Sequence, residues 1–101
     1  MAAYVIASLR VRQTAWRDAY AKKTLDLIHK HGGKVLSPFG SRVEALELFD
    51  EEAGAVPTTV VMIEFPTAGQ ARQWYHDSEY APLIALRKTG ADGDLLLVDS
   101  D

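Results

Sequence analysis

The chain has 101 residues, 48% of them hydrophobic, and a formal net charge of -3 at pH 7, which suits one compact core and argues against a second domain. Its Lys and Arg are scattered rather than clustered, which speaks against nucleic acid as a partner, and the absence of cysteine excludes disulfides, thiolate catalysis and thiolate metal sites. No apolar run is long enough to span a membrane, and the opening Met-Ala-Ala-Tyr-Val-Ile-Ala lacks the basic start and long apolar centre of a secretory leader, so a cytoplasmic location is expected.

Ala3 to Val11 is rich in Val, Ile, Leu and Tyr and reads as a largely buried first strand. Thr14 is placed to cap the helix that follows, in which Trp16, Tyr20, Thr24, Leu27, Ile28 and His31 recur at steps of three and four and form one stripe. Gly32-Gly33 ends that helix, since glycine enters the left-handed region without steric cost. Lys34 to Leu36 begins a second strand, and Arg42 to Phe49 fits either strand or a bent continuation. Asp50 to Pro57, acidic and containing Gly54, reads as a loop.

Thr58 to Phe65 is a third strand, β-branched at Thr58, Thr59, Val60, Val61 and Ile63 and stopped by Pro66. Thr67 and Gln70 have capping-box spacing for a second helix that runs to about His76. Asp77 caps again, and a further short helix carries Leu83, Ile84, Leu86 and Arg87, with Pro82 in its first turn where a missing N–H costs nothing. Gly90 and Asp92-Gly93 close that unit, and a last strand falls within Asp94 to Asp99.

The order β-α-β-β-α-β, with the second helical unit split in two, is that of the α+β ferredoxin-like sandwich, a four-stranded antiparallel sheet with its helices on one face. Alternation in the first strand puts Val5, Ala7 and Leu9 on one face and Tyr4, Ile6, Ser8 and Arg10 on the other. The third strand likewise separates Val61, Ile63 and Phe65 from Val60, Met62 and Glu64. Apolar residues on both faces imply burial on both, yet the helices cover only one. Burying five or six large side chains on the other is worth on the order of 10 kcal/mol, so a homodimer packed sheet to sheet is expected, two-fold dimers being the commonest oligomers.

The motifs His31-Gly32-Gly33-Lys34, Glu64-Phe65-Pro66-Thr67, Trp74-Tyr75, Glu79-Tyr80, Leu86-Arg87 and the closing Leu-Leu-Leu-Val, in that order and spacing, resemble the bacterial family known as domain of unknown function 1330. The resemblance covers nearly the whole chain and implies the dimeric α/β-barrel superfamily, two ferredoxin-like subunits joined face to face. Relatives there include cofactor-free monooxygenases, isomerases, haem enzymes and proteins with no known reaction. The family's usual Arg-Gly-Gly turn is Pro38-Phe39-Gly40 here, its Glu-Gly is Glu47-Leu48, and its Ser-Pro before Glu-Tyr is Asp77-Ser78. The family has no established catalytic residues, so the resemblance carries none over.

Among the polar residues Glu64 is the best catalytic candidate, because a carboxylate in an apolar strand gains a raised pKa on burial and serves as a general acid or base. Its structural alternative is a paired carboxylate, with Tyr4 close by if the first and third strands are antiparallel. Arg87 and Arg10 suit an anionic ligand group, although Arg87 also suits an anchor for its own helix. Trp74 reads as core against Ala71, and Tyr80, beside the helical break, is the better ligand candidate. His29 and His31 stand two apart and on different faces of a helix, so no metal site is expected; His31 reads as a core or cap residue, and no cofactor is implied. The expected ligand-binding set is therefore Tyr4, Arg10, Glu64, Tyr80 and Arg87, around a pocket between sheet and helices. Two functions fit: a dimer that binds a small organic molecule, including a cofactor-independent oxygenase or isomerase, or a non-catalytic structural or interaction dimer.

Overall fold

The computed structural model describes residues 2–37, 41–49 and 56–100. Its elements are β1 (Ala3–Val11), α1 (Arg17–Lys30), β2 (Lys34–Val35), β3 (Thr59–Phe65), α2 (Ala68–Tyr75), α3 (Ala81–Lys88) and β4 (Ala91–Asp99). The strands form one sheet in the order β2-β3-β1-β4, antiparallel at every pairing, as the β-α-β-β-α-β reading requires.

Alternation along β1 decides which face is the core. Ala3, Val5, Ala7 and Leu9 are buried, as are Val61, Ile63 and Phe65 of β3, and these pack with Trp16, Tyr20, Leu27 and Ile28 of the α1 segment and with Ala71, Trp74 and Leu83. The helices thus lie against one face, and the α1 stripe turns inward as its spacing predicts.

Helix ends are set by local chemistry that the sequence partly discloses. Gly32 ends α1 at φ 81°, the left-handed conformation only glycine enters freely. Thr14 does not cap α1: Trp16 is the N-cap residue and its side chain makes no cap bond, while the Gln13 side chain accepts from the Ala15 N–H at 2.6 Å. Thr67 caps α2, its Oγ1 accepting from the Gln70 N–H at 3.1 Å. The reciprocal half of the predicted capping box is replaced, because Gln70 Nε2 donates instead to the His31 carbonyl at 3.3 Å and ties the start of α2 to the end of α1. Asp77 does not cap α3, whose N-cap residue is Tyr80 with no side-chain cap bond; its Oδ1 accepts instead from the Glu79 N–H at 2.9 Å in the turn before that helix.

Two strand boundaries differ from expectation. β2 is only Lys34–Val35: Leu36 N–H still donates to the Met62 carbonyl, but one residue later the Ser37 hydroxyl takes the Met62 N–H at 2.9 Å and the ladder ends in a side chain. Residues 41–49 form neither strand nor helix, which answers the open reading of Arg42 to Phe49. The Pro38-Phe39-Gly40 turn and positions 50–55 of the acidic loop lie outside the described residues. β4 begins at Ala91, three residues earlier than Asp94, and runs through Asp92-Gly93. Gly93 is there for clearance rather than for a turn, since a Cβ at that position would collide with the Ser8 carbonyl of β1.

Candidate functional site

The face of the sheet away from the helices is read off the register. Ile6 stands opposite Met62 on one side and Leu96 on the other, and Leu36, bonded through its N–H to Met62, continues the line. Leu36, just past the end of β2, and Met62, Ile6 and Leu96 of β3, β1 and β4 thus form an apolar row, flanked by Lys34, Glu64, Tyr4 and Val98 in the next row. Met62 is 38% exposed, Val98 45% and Leu96 58%.

Glu64 lies on this open face, as its strand position predicts, and faces Tyr4 in register. Its ion-pair partner, however, is Lys34, the residue opposite it on the other side, with Nζ 3.2 Å from the carboxylate. Arg10 is on the same face at the far end of β1, opposite Asp92. Asp92 is itself held by the Arg12 guanidinium at 3.0 Å.

Tyr80 and Arg87 are on the other side of the sheet, under the helices. Tyr80 is fully buried and Arg87 is 5% exposed. Their spacing of seven residues brings both side chains to one side of the α3 segment, where they meet Tyr20 of α1. The two phenol oxygens are 2.6 Å apart, and Arg87 Nη1 donates to both, at 3.2 Å to Tyr20 and 3.0 Å to Tyr80. The guanidinium carbon also sits 5.8 Å from the Tyr20 ring centre, within cation–π range. Burial, with Tyr20 beside it, pushes the Tyr80 phenol well above its usual range. Burial works against the Arg87 charge, but Tyr20 and Tyr80 outweigh it and keep the guanidinium protonated. Among the described residues no carboxylate pairs with Arg87. This is a buried cation solvated by two phenols.

The expected site residues therefore separate into two groups on opposite faces: Tyr4, Arg10 and Glu64 on the open face, Tyr80 and Arg87 in the core. Sequence reasoning placed all five around one pocket; β1 alternation forbids that, because its even-numbered side chains point away from α3. It also missed Tyr20 as a polar partner, although a tyrosine in an otherwise apolar stripe needs somewhere to put its hydroxyl. His31, read as core or cap, is paired: its Nε2 is 2.8 Å from Asp77 Oδ2, which also receives Lys30 Nζ at 3.1 Å. His31, the Glu79 N–H and Lys30, in that order, hold the Asp77 carboxyl well below the usual carboxylate range.

A family model for a domain of unknown function, DUF1330, matches residues 2–100. The chain belongs to that family. Its fold is shared by the crystal structure of a protein of unknown function from Rhodopseudomonas palustris. That protein is 15% identical with a TM-score of 0.76, over 99% of this chain and 82% of that one. The methylated form of the same protein gives 15% identity and a TM-score of 0.74, over 99% and 81%. At such identity the likeness establishes the fold of this DUF1330 chain and nothing about its chemistry. No curated protein matches it. Among the described residues no helix is long and apolar enough to cross a membrane.

Proposed function

We propose that this DUF1330 protein works as a homodimer that holds a small organic molecule, with two sheets packed open face to open face. The observation that carries the reading is the apolar row Leu36, Met62, Ile6 and Leu96, which crosses the whole sheet on the side that no helix covers. Burying the exposed half of these four side chains in each of two copies is worth on the order of 10 kcal/mol; less an association cost of about 4 kcal/mol, this row alone gives a Kd of roughly tens of micromolar.

Glu64, the carboxylate that would act as acid or base in an oxygenase or isomerase step, is bonded to Lys34 on the open face, across the sheet from the buried Tyr80 and Arg87.

The test is sedimentation velocity at about 200 µM, well above the Kd just given. The expected species has twice the 11.1 kDa of one chain, and Met62→Glu with Val98→Glu returns it to one. A folded 11.1 kDa species at that concentration overturns the dimer.

A further inference from the structure

The open face offers a second copy two orientations, and its polar residues distinguish them. Register fixes three rows on this face: Lys34, Glu64, Tyr4 and Val98; then Leu36, Met62, Ile6 and Leu96; then Val60, Ser8 and Asp94. The apolar row is the middle one. A two-fold axis that stacks it on itself runs either across the strands, along the row, or parallel to them, between β3 and β1.

An axis across the strands lays the first row on the third. Glu64 then faces the partner's Val60 and Asp94 faces the partner's Val98, so two carboxylates of each copy are pressed against valine, where nothing compensates their lost water. An axis parallel to the strands instead keeps each row on itself and exchanges the strands. Leu36 meets the partner's Leu96, Met62 meets the partner's Ile6, and Glu64 meets the partner's Tyr4, whose phenol is able to donate. Lys34 stays 3.2 Å from Glu64 with its apolar stem along the partner's Val98, so the carboxylate keeps its cation and gains a hydrogen bond.

We propose that the two copies pack with their axis parallel to the strands, and that the partner's Tyr4 completes the site of Glu64 in each. Two Glu64 carboxylates and two Tyr4 phenols then surround the axis, a polar group that neither copy holds alone. Resting on the open-face dimer, this orientation goes beyond it by giving Tyr4 and Glu64 the task of deciding how the two sheets meet.

The chain has no cysteine, so single-cysteine variants of the full chain, cross-linked by a short bismaleimide at about 200 µM, well above the dimer Kd, read the orientation directly. Ile6→Cys is the control, because Ile6 stands in an inner strand of the row and meets or neighbours its own copy in either orientation. A mixture of Leu36→Cys and Leu96→Cys should give a linked product of two chains. Neither variant should do so alone, since the parallel axis sets the two copies of each residue about three strand spacings, roughly 14 Å, apart along the sheet. Tyr4→Phe should weaken the dimer about a hundredfold, tenfold for each of two charge-assisted hydrogen bonds, and leave mostly monomer by sedimentation at that concentration. The same substitution made in Glu64→Ala should have no further effect. A link from Leu36→Cys or Leu96→Cys alone, no link from their mixture, or a dimer unchanged by Tyr4→Phe overturns the orientation, while a linked Ile6→Cys leaves the dimer itself standing. Absence of any Ile6→Cys link removes both.

Discussion

The Tyr20, Tyr80 and Arg87 cluster makes the sharpest stability prediction. Tyr80→Phe removes one hydroxyl and nothing else, but that hydroxyl is bonded both to Tyr20 at 2.6 Å and to Arg87 at 3.0 Å. Loss of a neutral and a charge-assisted hydrogen bond, with Arg87 still held by Tyr20, should cost about 2 kcal/mol. For a chain of this size that lowers Tm by about 10 °C. Removing both phenols leaves a buried guanidinium with no acceptor, a situation that costs several kcal/mol. The distinctive expectation is a reversal of sign. Arg87→Met should destabilise the parent, because it removes a charged donor from both phenols, and should stabilise Tyr20→Phe/Tyr80→Phe, because there it deletes an uncompensated charge and leaves an apolar side chain among apolar neighbours. Urea unfolding at one fixed protein concentration, so that association contributes equally throughout, reads all four proteins. If Arg87→Met changes stability by the same amount in both backgrounds, the cation is not solvated by the phenols and the reasoning fails.

Two further predictions concern the helix ends. Asp77→Asn keeps the acceptor for the Glu79 N–H but removes the charge that faces His31 and Lys30. The folded-state pKa of Asp77 is depressed, so its contribution is present above the unfolded carboxylate pKa of about 3.9 and is lost as pH falls below it. The parent should therefore lose stability on acidification below about pH 4 more steeply than the Asn variant, as followed by Tm against pH; parallel acid limbs would refute the assignment. Thr67→Ala should cost about 1 kcal/mol through loss of the α2 cap, seen as a lower urea midpoint at unchanged slope.

How much of this was legible in the sequence depended on whether one element or several had to be known. The α1 stripe, the faces of β1 and β3 and the Thr67 cap needed only local periodicity and capping rules, and the structure repeats them. Glu64 facing Tyr4 needed one extra assumption, an antiparallel pairing, and that too is observed. Lys34 as the partner of Glu64 needed the register of a strand two residues long, which no periodicity can set. The meeting of Tyr20 with Tyr80 and Arg87 needed the packing of α1 against α3. Asp92-Gly93 misled for a different reason: the pair has turn chemistry, and the demand that fixes the glycine is close approach to the Ser8 carbonyl on the neighbouring strand, invisible before the strands are paired.

The period of two in β1 also keeps the open face of the sheet separate from the core. Even-numbered positions Tyr4, Ile6, Ser8 and Arg10 project to the open face, while odd-numbered Val5, Ala7 and Leu9 project under the helices, and no side chain of β1 serves both. A charge placed at Ile6 acts on the open face, and one placed at Val5 acts on the core. The core cation, Arg87, donates through Nη1 to both Tyr20 and Tyr80 and is 5% exposed, so the most conspicuous buried charge of the fold offers an incoming anion almost no surface.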